Sequence, residues 1–177
     1  MKILAFAGSN SRHSINKKLA TYATTLFAHA EAEILDLNDY ESALFSVDRE
    51  KEIGQSPQAA AFLEKLAAAD ALVLSLAENN GNYSAAFKNL FDWASRIQKD
   101  VFQNKPMLLM ATSPGARGGK SVLEIAEKNL PRYGADVKFV FSLPSFYQNF
   151  DEENLRISET ELDAQLKEIV RQFQSLL

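Results

Sequence analysis

The chain has 177 residues, 46% hydrophobic and 24% charged, and a formal net charge of −4, which is typical of one globular domain and argues against a broad nucleic-acid surface. The absence of cysteine excludes disulfides, thiolate nucleophiles and cysteine metal sites, and the presence of only two histidines argues against a histidine-rich metal site. No apolar run approaches the roughly 20 residues of a membrane span, and no signal-peptide pattern is present. We therefore expect one cytoplasmic domain, residues 1–177. We expect this domain to bind a small ligand and neither nucleic acid nor membrane.

Predicted strands and helices alternate along the whole sequence. Short apolar or alternating runs predict five strands, at residues 2–7, 32–37, 71–76, 106–111 and 135–143. Apolar residues at helical spacing predict helices at residues 15–30, 57–67, 84–98 and 120–132, and a fifth helix that follows Ser158. Ser158 and Glu161 predict a capping box for that last helix, whereas residues 38–56 show no clear period. Such alternation implies parallel strands joined by right-handed crossovers, and therefore a three-layer α/β sandwich.

The carboxyl ends of the predicted strands are the expected place for a ligand. In a parallel sheet covered on both faces, a ligand binds beyond these ends, where the strand order reverses. This rule selects the segments after the first, third and fourth strands, at residues 8–16, 77–84 and 112–119. The third strand ends in Ser75 and Leu76 without an aspartate, which argues against a phospho-acceptor regulator of similar topology.

The first of these segments carries donors that suit an anion. Gly8 ends the strand, and a run of polar residues then leads into the first helix: Ser9, Asn10, Ser11, Arg12, His13, Ser14 and Asn16. A helix N-terminus presents unpaired N–H groups, hydroxyls add rotatable donors, and an arginine adds a two-pronged charged contact. A dinucleotide fingerprint needs three glycines and only Gly8 is present, so the loop favours a single compact phosphate. Taken alone, a solvated turn capped by Ser14 explains the same residues about equally well.

The other two segments each allow two interpretations. Residues 113–121, SPGARGGKS, resemble the end of a nucleoside-triphosphate loop, but Pro114 stands where that motif needs glycine. The segment instead favours a loop whose glycines let a planar ligand lie against the backbone, or equally a plain turn before a helix. Residues 76–96 place amides before a helix, where they could bind the edge of a heteroaromatic ring. Phe91 and Trp93 on that helix are interpreted as core or subunit-contact residues.

Together, the three segments resemble the NAD(P)H-dependent FMN reductase family, which has a flavodoxin-like fold. The first family motif, Gly-Ser-x-Arg-x-x-Ser-x-Asn and then Leu-Ala, is matched by Gly8, Ser9, Arg12, Ser14, Asn16, Leu19 and Ala20. The second, close to Pro-Glu-Tyr-Asn-Gly and then Leu-Lys-Asn-x-x-Asp-Trp, is matched by Glu78, Asn80, Gly81, Lys88, Asn89, Asp92 and Trp93. The third, a serine- and glycine-rich loop, is matched by Ser113, Gly115, Gly118 and Gly119. The sequence departs from the family at Ala77, Asn79 and Ser84, which stand for proline, tyrosine and a second frequent proline, and at Phe87, which stands for leucine.

The resemblance implies a flavodoxin-like three-layer sandwich with a five-stranded parallel sheet in the order 2-1-3-4-5. It also implies FMN as the cofactor. The residues implied to hold FMN are Gly8, Ser9, Arg12, Ser14, Asn16, Ala77, Glu78, Asn79, Asn80, Gly81, Ser113, Pro114, Gly115, Gly118 and Gly119.

The activity implied by the resemblance is that of an NAD(P)H-dependent flavin oxidoreductase. Such an enzyme passes a hydride from NADPH or NADH through FMN to a small-molecule acceptor, for example free flavin or a quinone. Because the flavin ring performs the chemistry, we expect no catalytic side chain and no metal. The resemblance also implies a homodimer or homotetramer, with the helix at residues 84–98 and its Trp93 as the expected subunit contact. An FMN-binding electron carrier or binding module without nicotinamide turnover is the alternative.

Overall fold

A central sheet of five parallel strands organises the fold. The computed structural model describes residues 1–177 and contains the strands β1 (Lys2–Gly8), β2 (Glu31–Leu35), β3 (Ala71–Leu76), β4 (Glu78–Asn79), β5 (Asn82–Tyr83), β6 (Lys105–Thr112), β7 (Ala135–Leu143), β8 (Phe150–Asp151) and β9 (Arg156–Ile157). The large sheet has the order β2-β1-β3-β6-β7, and every pairing in it is parallel. When its strands alone are counted, this is the order 2-1-3-4-5, so the predicted flavodoxin-like arrangement is confirmed.

Helices cover both faces of this sheet. The helices are α1 (Ile15–Thr25), α2 (Val47–Ile53), α3 (Pro57–Ala67), α4 (Ala85–Ile97), α5 (Lys120–Asn129), α6 (Phe146–Asn149) and α7 (Thr160–Gln174). Their lengths and compositions leave no helix that could cross a membrane. Because strand side chains alternate between faces, Phe6 packs in the core beneath α3, α4 and α5, whereas Ala5 packs in the core beneath α1 and α7. The predicted three-layer sandwich is therefore confirmed.

Two helices on the way to β3 differ from the prediction. Helix α1 ends at Thr25, well before residue 30, because Leu26 and Phe27 donate to carbonyls three residues back and tighten the last turn. The chain then reverses at His29, whose φ is +55°. Helix α2 lies within residues 38–56, where no helix was predicted, and it buries none of its residues. A helix that buries nothing needs no apolar period, so periodicity could not reveal it.

The cap of the last helix also differs from the prediction. The N-cap of α7 is Glu159, whose carboxylate accepts hydrogen bonds from the N–H groups of Glu161 at 3.1 Å and Leu162 at 2.7 Å. The predicted capping box at Ser158 is therefore wrong. Ser158 donates its backbone N–H to the carbonyl of Asn149 at 2.8 Å, and this contact holds it beside the β8–β9 hairpin.

Trp93 of α4 lies wholly within the core. Its side chain is 0% exposed, and its indole N–H donates to the carbonyl of Ala43 at 2.7 Å. Phe45 packs edge-on against the indole, with 5.1 Å between ring centroids. The indole therefore anchors the segment after β2 onto α4. Its interpretation as a core residue is confirmed, and its expected role as a subunit contact is wrong, because a buried indole offers no surface to a partner.

The strand order also determines where three loops meet. The chain passes from β1 to the sheet edge at β2 and then returns past β1 to β3, so the order reverses between β1 and β3. Gly8 of β1 pairs with Leu76 of β3, and Leu76 pairs with Ala111 of β6. The loops that follow these three strands therefore leave the sheet side by side.

Candidate functional site

A cleft of about 230 Å³ opens where these loops leave the sheet. Its walls come from the segments after β1, β3 and β6 and from one residue after β7. The lining residues are Ser9, Ser11, His13, Ser14, Ile15, Asn16, Ala77, Glu78, Asn79, Thr112, Ser113, Pro114 and Tyr147. The three segments selected from the sequence are thus brought together in one cleft.

The cleft contains about half of the residues predicted to hold the cofactor. Those that line it are Ser9, Ser14, Asn16, Ala77, Glu78, Asn79, Ser113 and Pro114. Those that lie around it without lining it are Gly8, Arg12, Asn80, Gly81, Gly115, Gly118 and Gly119. Lining residues that were not predicted are Ser11, His13, Ile15, Thr112 and Tyr147. All of these except Tyr147 belong to segments that the sequence had already selected.

The N-terminus of α1 presents unpaired donors to the cleft. Ser14 is the N-cap, and its hydroxyl oxygen accepts a hydrogen bond from the N–H of Lys17 at 3.1 Å. The N–H groups of Ile15 and Asn16 have no partner in the protein, as is expected in the first turn of a helix. These free N–H groups lie at the positive end of the helix dipole. The capping role of Ser14 and an anion-binding role for this turn are therefore compatible.

Asn16 ties the three loops together beneath the cleft. Its side chain is buried, and its amide oxygen accepts from the hydroxyl of Ser75 at 2.8 Å and from the N–H of Thr112 at 2.9 Å. Its amide nitrogen donates to the carbonyl of Thr112 at 3.1 Å. These bonds join the start of α1 to the ends of β3 and β6. Asn16 therefore braces the cleft from below, with most of its hydrogen-bonding capacity used inside the protein.

Ser84 joins α4 to the end of β1. Its hydroxyl accepts from the N–H of Phe87 at 3.2 Å and donates to the carbonyl of Gly8 at 2.8 Å. A Cβ atom on Gly8 would lie 2.7 Å from Cδ2 of Leu76, so a side chain does not fit there. A side chain at position 8 would therefore displace the buried side chain of Leu76, and Ser84 has a structural use where the family has proline.

Arg12 is exposed and lies just outside the cleft. It lines a neighbouring depression with Lys17 and Lys18, and His13 borders both spaces. Lys17 pairs with Asp36 at 2.5 Å, and this hydrogen bond holds the pKa of the Asp36 carboxyl below its usual range. Lys18 pairs with a glutamate, whereas Arg12 makes no ion pair. Arg12 is therefore the one of these three cations that is free to approach a ligand.

The segment after β3 forms a small hairpin in the cleft wall. Strands β4 and β5 pair antiparallel around Asn80 and Gly81, whose φ angles are +52° and +74°. A Cβ atom on Gly81 would meet nothing within 4 Å, so this glycine serves the turn conformation and not close packing. The turn leaves Asn79 exposed on the cleft.

Glu78 links this hairpin to α5. Its Oε2 accepts a hydrogen bond from the N–H of Val122 at 3.1 Å. The N-cap of α5 is Gly119, which has no side chain with which to cap the helix. The carboxylate of Glu78 therefore supplies the missing acceptor and offsets the positive end of the α5 dipole.

The glycines before α5 pack closely against neighbouring strands. Gly118 and Gly119 have φ angles of +58° and +79°. A Cβ atom on Gly118 would lie 2.4 Å from Oγ of Ser142, and one on Gly119 would lie 2.7 Å from Cβ of Ala111. These contacts favour the interpretation of both glycines as parts of a tight turn, whereas Ser113 and Pro114 earlier in the loop face the cleft.

Tyr147 is the one lining residue that lies outside the three segments selected from the sequence. It lies on α6, after β7, and its side chain is 63% exposed. The rule for ligand sites in parallel sheets selected only the loops after the first, third and fourth strands. The aromatic run SFYQNF that follows the fifth strand was the available signal, because that strand ends at the same edge of the sheet.

Comparison with known proteins identifies a family and several relatives. Residues 1–148 match the family model described as NADPH-dependent FMN reductase. The chain is 28% identical over 187 residues to an NADPH:quinone oxidoreductase of Arabidopsis thaliana, a match that covers 99% of this chain and 91% of that protein. It is 30% identical over 158 residues to a 2-hydroxy-1,4-benzoquinone reductase of Burkholderia sp, with coverages of 88% and 82%. Its fold is similar to that of FerB, a flavoenzyme NAD(P)H:(acceptor) oxidoreductase from Paracoccus denitrificans, with a TM-score of 0.78, 20% identity and coverages of 98% and 95%.

Proposed function

The chain belongs to the NADPH-dependent FMN reductase family, and we propose that it binds FMN in the cleft beyond β1, β3 and β6 and uses NADPH or NADH to reduce a quinone or free flavin. Membership of this family makes it an NAD(P)H-dependent flavin oxidoreductase. When bound, FMN supplies a ring that can take up and release a hydride. A quinone is favoured as the acceptor because two relatives that match most of the chain are named quinone reductases.

The observation that carries the proposal is the pair of free N–H groups on Ile15 and Asn16. FMN ends in one phosphate monoester, a compact dianion that suits the N-terminus of a helix. The hydroxyls of Ser9 and Ser11 lie on the same cleft and can rotate to donate to phosphate oxygens. Each charge-assisted hydrogen bond contributes about 1.5–3 kcal/mol, so a few of them suffice to hold the phosphate.

Arg12 is proposed to add a charged contact to this phosphate. Its guanidinium is exposed and makes no ion pair, so it can turn toward the cleft without breaking another interaction. His13, the next residue in the chain, lines both the cleft and the neighbouring depression that Arg12 lines. The amides and backbone of the β4–β5 hairpin and of residues 113–115 are proposed to contact the rest of the cofactor.

The cleft has one carboxylate, and it is engaged at the start of α5. Glu78 is the only acidic lining residue, and its Oε2 accepts from the N–H of Val122. The negative charge of this carboxylate thus lies at the start of α5, where it interacts with the first turn of the helix. The cleft therefore offers no unengaged carboxylate for acid–base catalysis, as suits a reaction whose chemistry belongs to the cofactor.

The size of the cleft indicates that a bound flavin would remain partly open. Pockets that enclose a small ligand usually have volumes of about 300–1,000 Å³. This cleft, at about 230 Å³, is smaller. FMN would therefore extend beyond it, with one side available to a nicotinamide or to an acceptor.

Assembly into a homodimer or homotetramer is part of the proposal, and residues 1–177 are taken as one FMN-binding domain. The segment after β2 carries three exposed apolar side chains, Leu44 at 81%, Val47 at 55% and Ile53 at 56%. Exposed apolar groups close together are typical of interaction surfaces. This segment replaces Trp93 as the proposed subunit contact, and analytical ultracentrifugation of wild-type protein and of Leu44→Glu tests it.

Two measurements test the function. The apo-protein is titrated with FMN and with FAD, and FMN is expected to bind more tightly, because the only open helix N-terminus that lines the cleft is that of α1. NADPH oxidation is then followed with and without added benzoquinone. Strong stimulation by the quinone is expected of a reductase. FMN binding with negligible NADPH and NADH oxidation would establish the electron-carrier alternative, and equal or tighter binding of FAD would contradict the single-phosphate argument.

A further inference from the structure

Tyr147 is the only phenylalanine, tyrosine or tryptophan that lines the cleft. The family resemblance places a tyrosine on the loop after β3, where this chain has Asn79. The cleft therefore has an aromatic side chain, but it comes from the segment after β7. Tyr147 is 63% exposed, which leaves a large flat surface uncovered on the cleft.

The backbone around Tyr147 is held to the loop after β6. The N–H of Ser145 donates to the carbonyl of Gly115 at 3.0 Å, and the N–H of Phe146 donates to the carbonyl of Ser113 at 3.0 Å. Ser145 has a φ of +47°, a left-handed conformation that a serine rarely adopts. A strained residue that persists is over-determined by its surroundings, and such residues cluster at ligand sites. The backbone that carries Tyr147 is therefore held close to Ser113, which also lines the cleft.

The neighbouring side chain anchors this short helix in the core. Phe146 is 0% exposed and stacks on Phe150, with 4.7 Å between centroids and 19° between ring planes. The ring of Tyr147 meets Phe146 nearly at right angles, at 5.5 Å and 86°. Tyr147 thus rests on a rigid base while most of its own surface stays open. Because its backbone is already held, only the side-chain torsions of Tyr147 need to be ordered when a ligand covers the ring.

We propose that Tyr147 stacks on the isoalloxazine ring of FMN and so replaces the aromatic contact that is absent at Asn79. The inference rests on the proposed binding of FMN in this cleft. FMN combines an anionic end with one large planar ring. The donors at the start of α1 suit the anion, and Tyr147 is the flat partner that the cleft offers to the ring.

The test compares two flavins with three variants. The apo-protein and its Tyr147→Leu, Tyr147→Phe and Leu176→Ala forms are titrated with FMN and with riboflavin, which has the same ring and no phosphate. Tyr147→Leu keeps apolar area but removes the aromatic face, so it is expected to weaken both flavins by about three- to tenfold. Tyr147→Phe keeps the ring and should bind both as the wild type does. Leu176→Ala changes an exposed apolar residue that does not line the cleft and should change neither affinity.

The fluorescence of the bound flavin gives a second, independent measure. A phenol ring stacked on a flavin quenches its emission, so FMN bound to Tyr147→Leu should be brighter than FMN bound to the wild type. Circular dichroism checks that each variant is folded, which is expected at so exposed a position. Unchanged affinities and unchanged brightness overturn the inference. A loss for FMN alone also overturns it, since Tyr147 would then act at the phosphate. A wild-type protein that binds no FMN overturns the proposed function as well.

Discussion

Helices α1 and α5 both begin at the carboxyl edge of the sheet, and their N-termini are completed in different ways. At α1, Ser14 caps the helix, and the N–H groups of Ile15 and Asn16 remain free at the cleft. At α5, the N-cap is a glycine without a capping side chain, and the carboxylate of Glu78 binds the N–H of Val122 at 3.1 Å. The N-terminus of α1 is open to an anion from solution, whereas the N-terminus of α5 is already bound by the side-chain carboxylate of Glu78.

This difference explains why the near match to a nucleoside-triphosphate loop does not make a second phosphate site. Residues 113–121 do lead into a helix, as that motif requires. The Glu78 carboxylate at this helix would repel an incoming phosphate, since like charges at hydrogen-bonding distance are unfavourable. A helix N-terminus is therefore a binding site only where the rest of the fold leaves it unfilled, and of these two helices only α1 meets that condition.

The largest expected effect comes from changing the turn that positions α5. Gly118→Ala should lower the free energy of unfolding by about 3 kcal/mol, because it adds a left-handed alanine and a Cβ atom that overlaps Ser142. Gly115→Ala is the matched control in the same loop. A Cβ atom there would meet nothing closer than 4.0 Å, so stability should hardly change. Urea denaturation measures the free energy of unfolding of both variants. Equal losses would show that close packing is not the reason for glycine at position 118.

A slightly smaller effect is expected from the brace beneath α1. Asn16→Ala should cost about 2–3 kcal/mol of stability, because it leaves buried groups of Ser75 and Thr112 without their partners. Asn10→Ala, at an exposed position in the same loop, is the control and should cost almost nothing. Thermal and urea unfolding compare the two variants. If Asn16→Ala were as stable as Asn10→Ala, the cleft would not depend on this brace.

The proposed phosphate site at the N-terminus of α1 is tested by removing Arg12, the nearby cation that makes no ion pair. Arg12→Ala should weaken FMN about tenfold, near the lower limit for a charge-assisted hydrogen bond because Arg12 is exposed, and should leave riboflavin unchanged. Arg132→Ala removes an exposed arginine from the turn before β7 and should alter neither affinity. Fluorescence titration provides the dissociation constants. Equal weakening of FMN and riboflavin would mean that Arg12 maintains the shape of the loop and does not contact the phosphate.

The closed terminus is expected to give the smallest effect. Glu78→Ala should lower the free energy of unfolding by about 1 kcal/mol, because α5 loses both an acceptor and a compensating charge. Glu78→Gln keeps an acceptor for Val122 without the charge and should lose less. Urea denaturation at low and moderate salt separates the two contributions. If both variants had the same free energy of unfolding as the wild type, the Glu78 carboxylate would not stabilise the N-terminus of α5, and the contrast with α1 would not hold.

Much of the fold could be predicted because the signals are local. Strand β3 and helix α3 have the predicted bounds, since their residue patterns repeat over a few positions. Helix α2 could not be found this way, because it buries nothing and therefore has no apolar period. The cap of α7 was misplaced for a related reason. Ser158 fits the local pattern, but its N–H donates to the carbonyl of Asn149 in α6, and Glu159 caps the helix instead.

The sequence by itself determined the alternation of strands and helices and the three segments that meet at the sheet edge. Composition, period and motif spacing carry that information, because they depend on residues close together in the chain. Only the tertiary structure decided which groups in those segments stay free. Glu78 is hydrogen-bonded to Val122, 44 residues away in the chain, and Asn16 to Thr112, 96 residues away. These side chains therefore already have hydrogen-bond partners within the protein. Tyr147 enters the cleft because β7 ends beside β6. Such partners lie far apart in the chain, and only folding brings them within hydrogen-bonding distance.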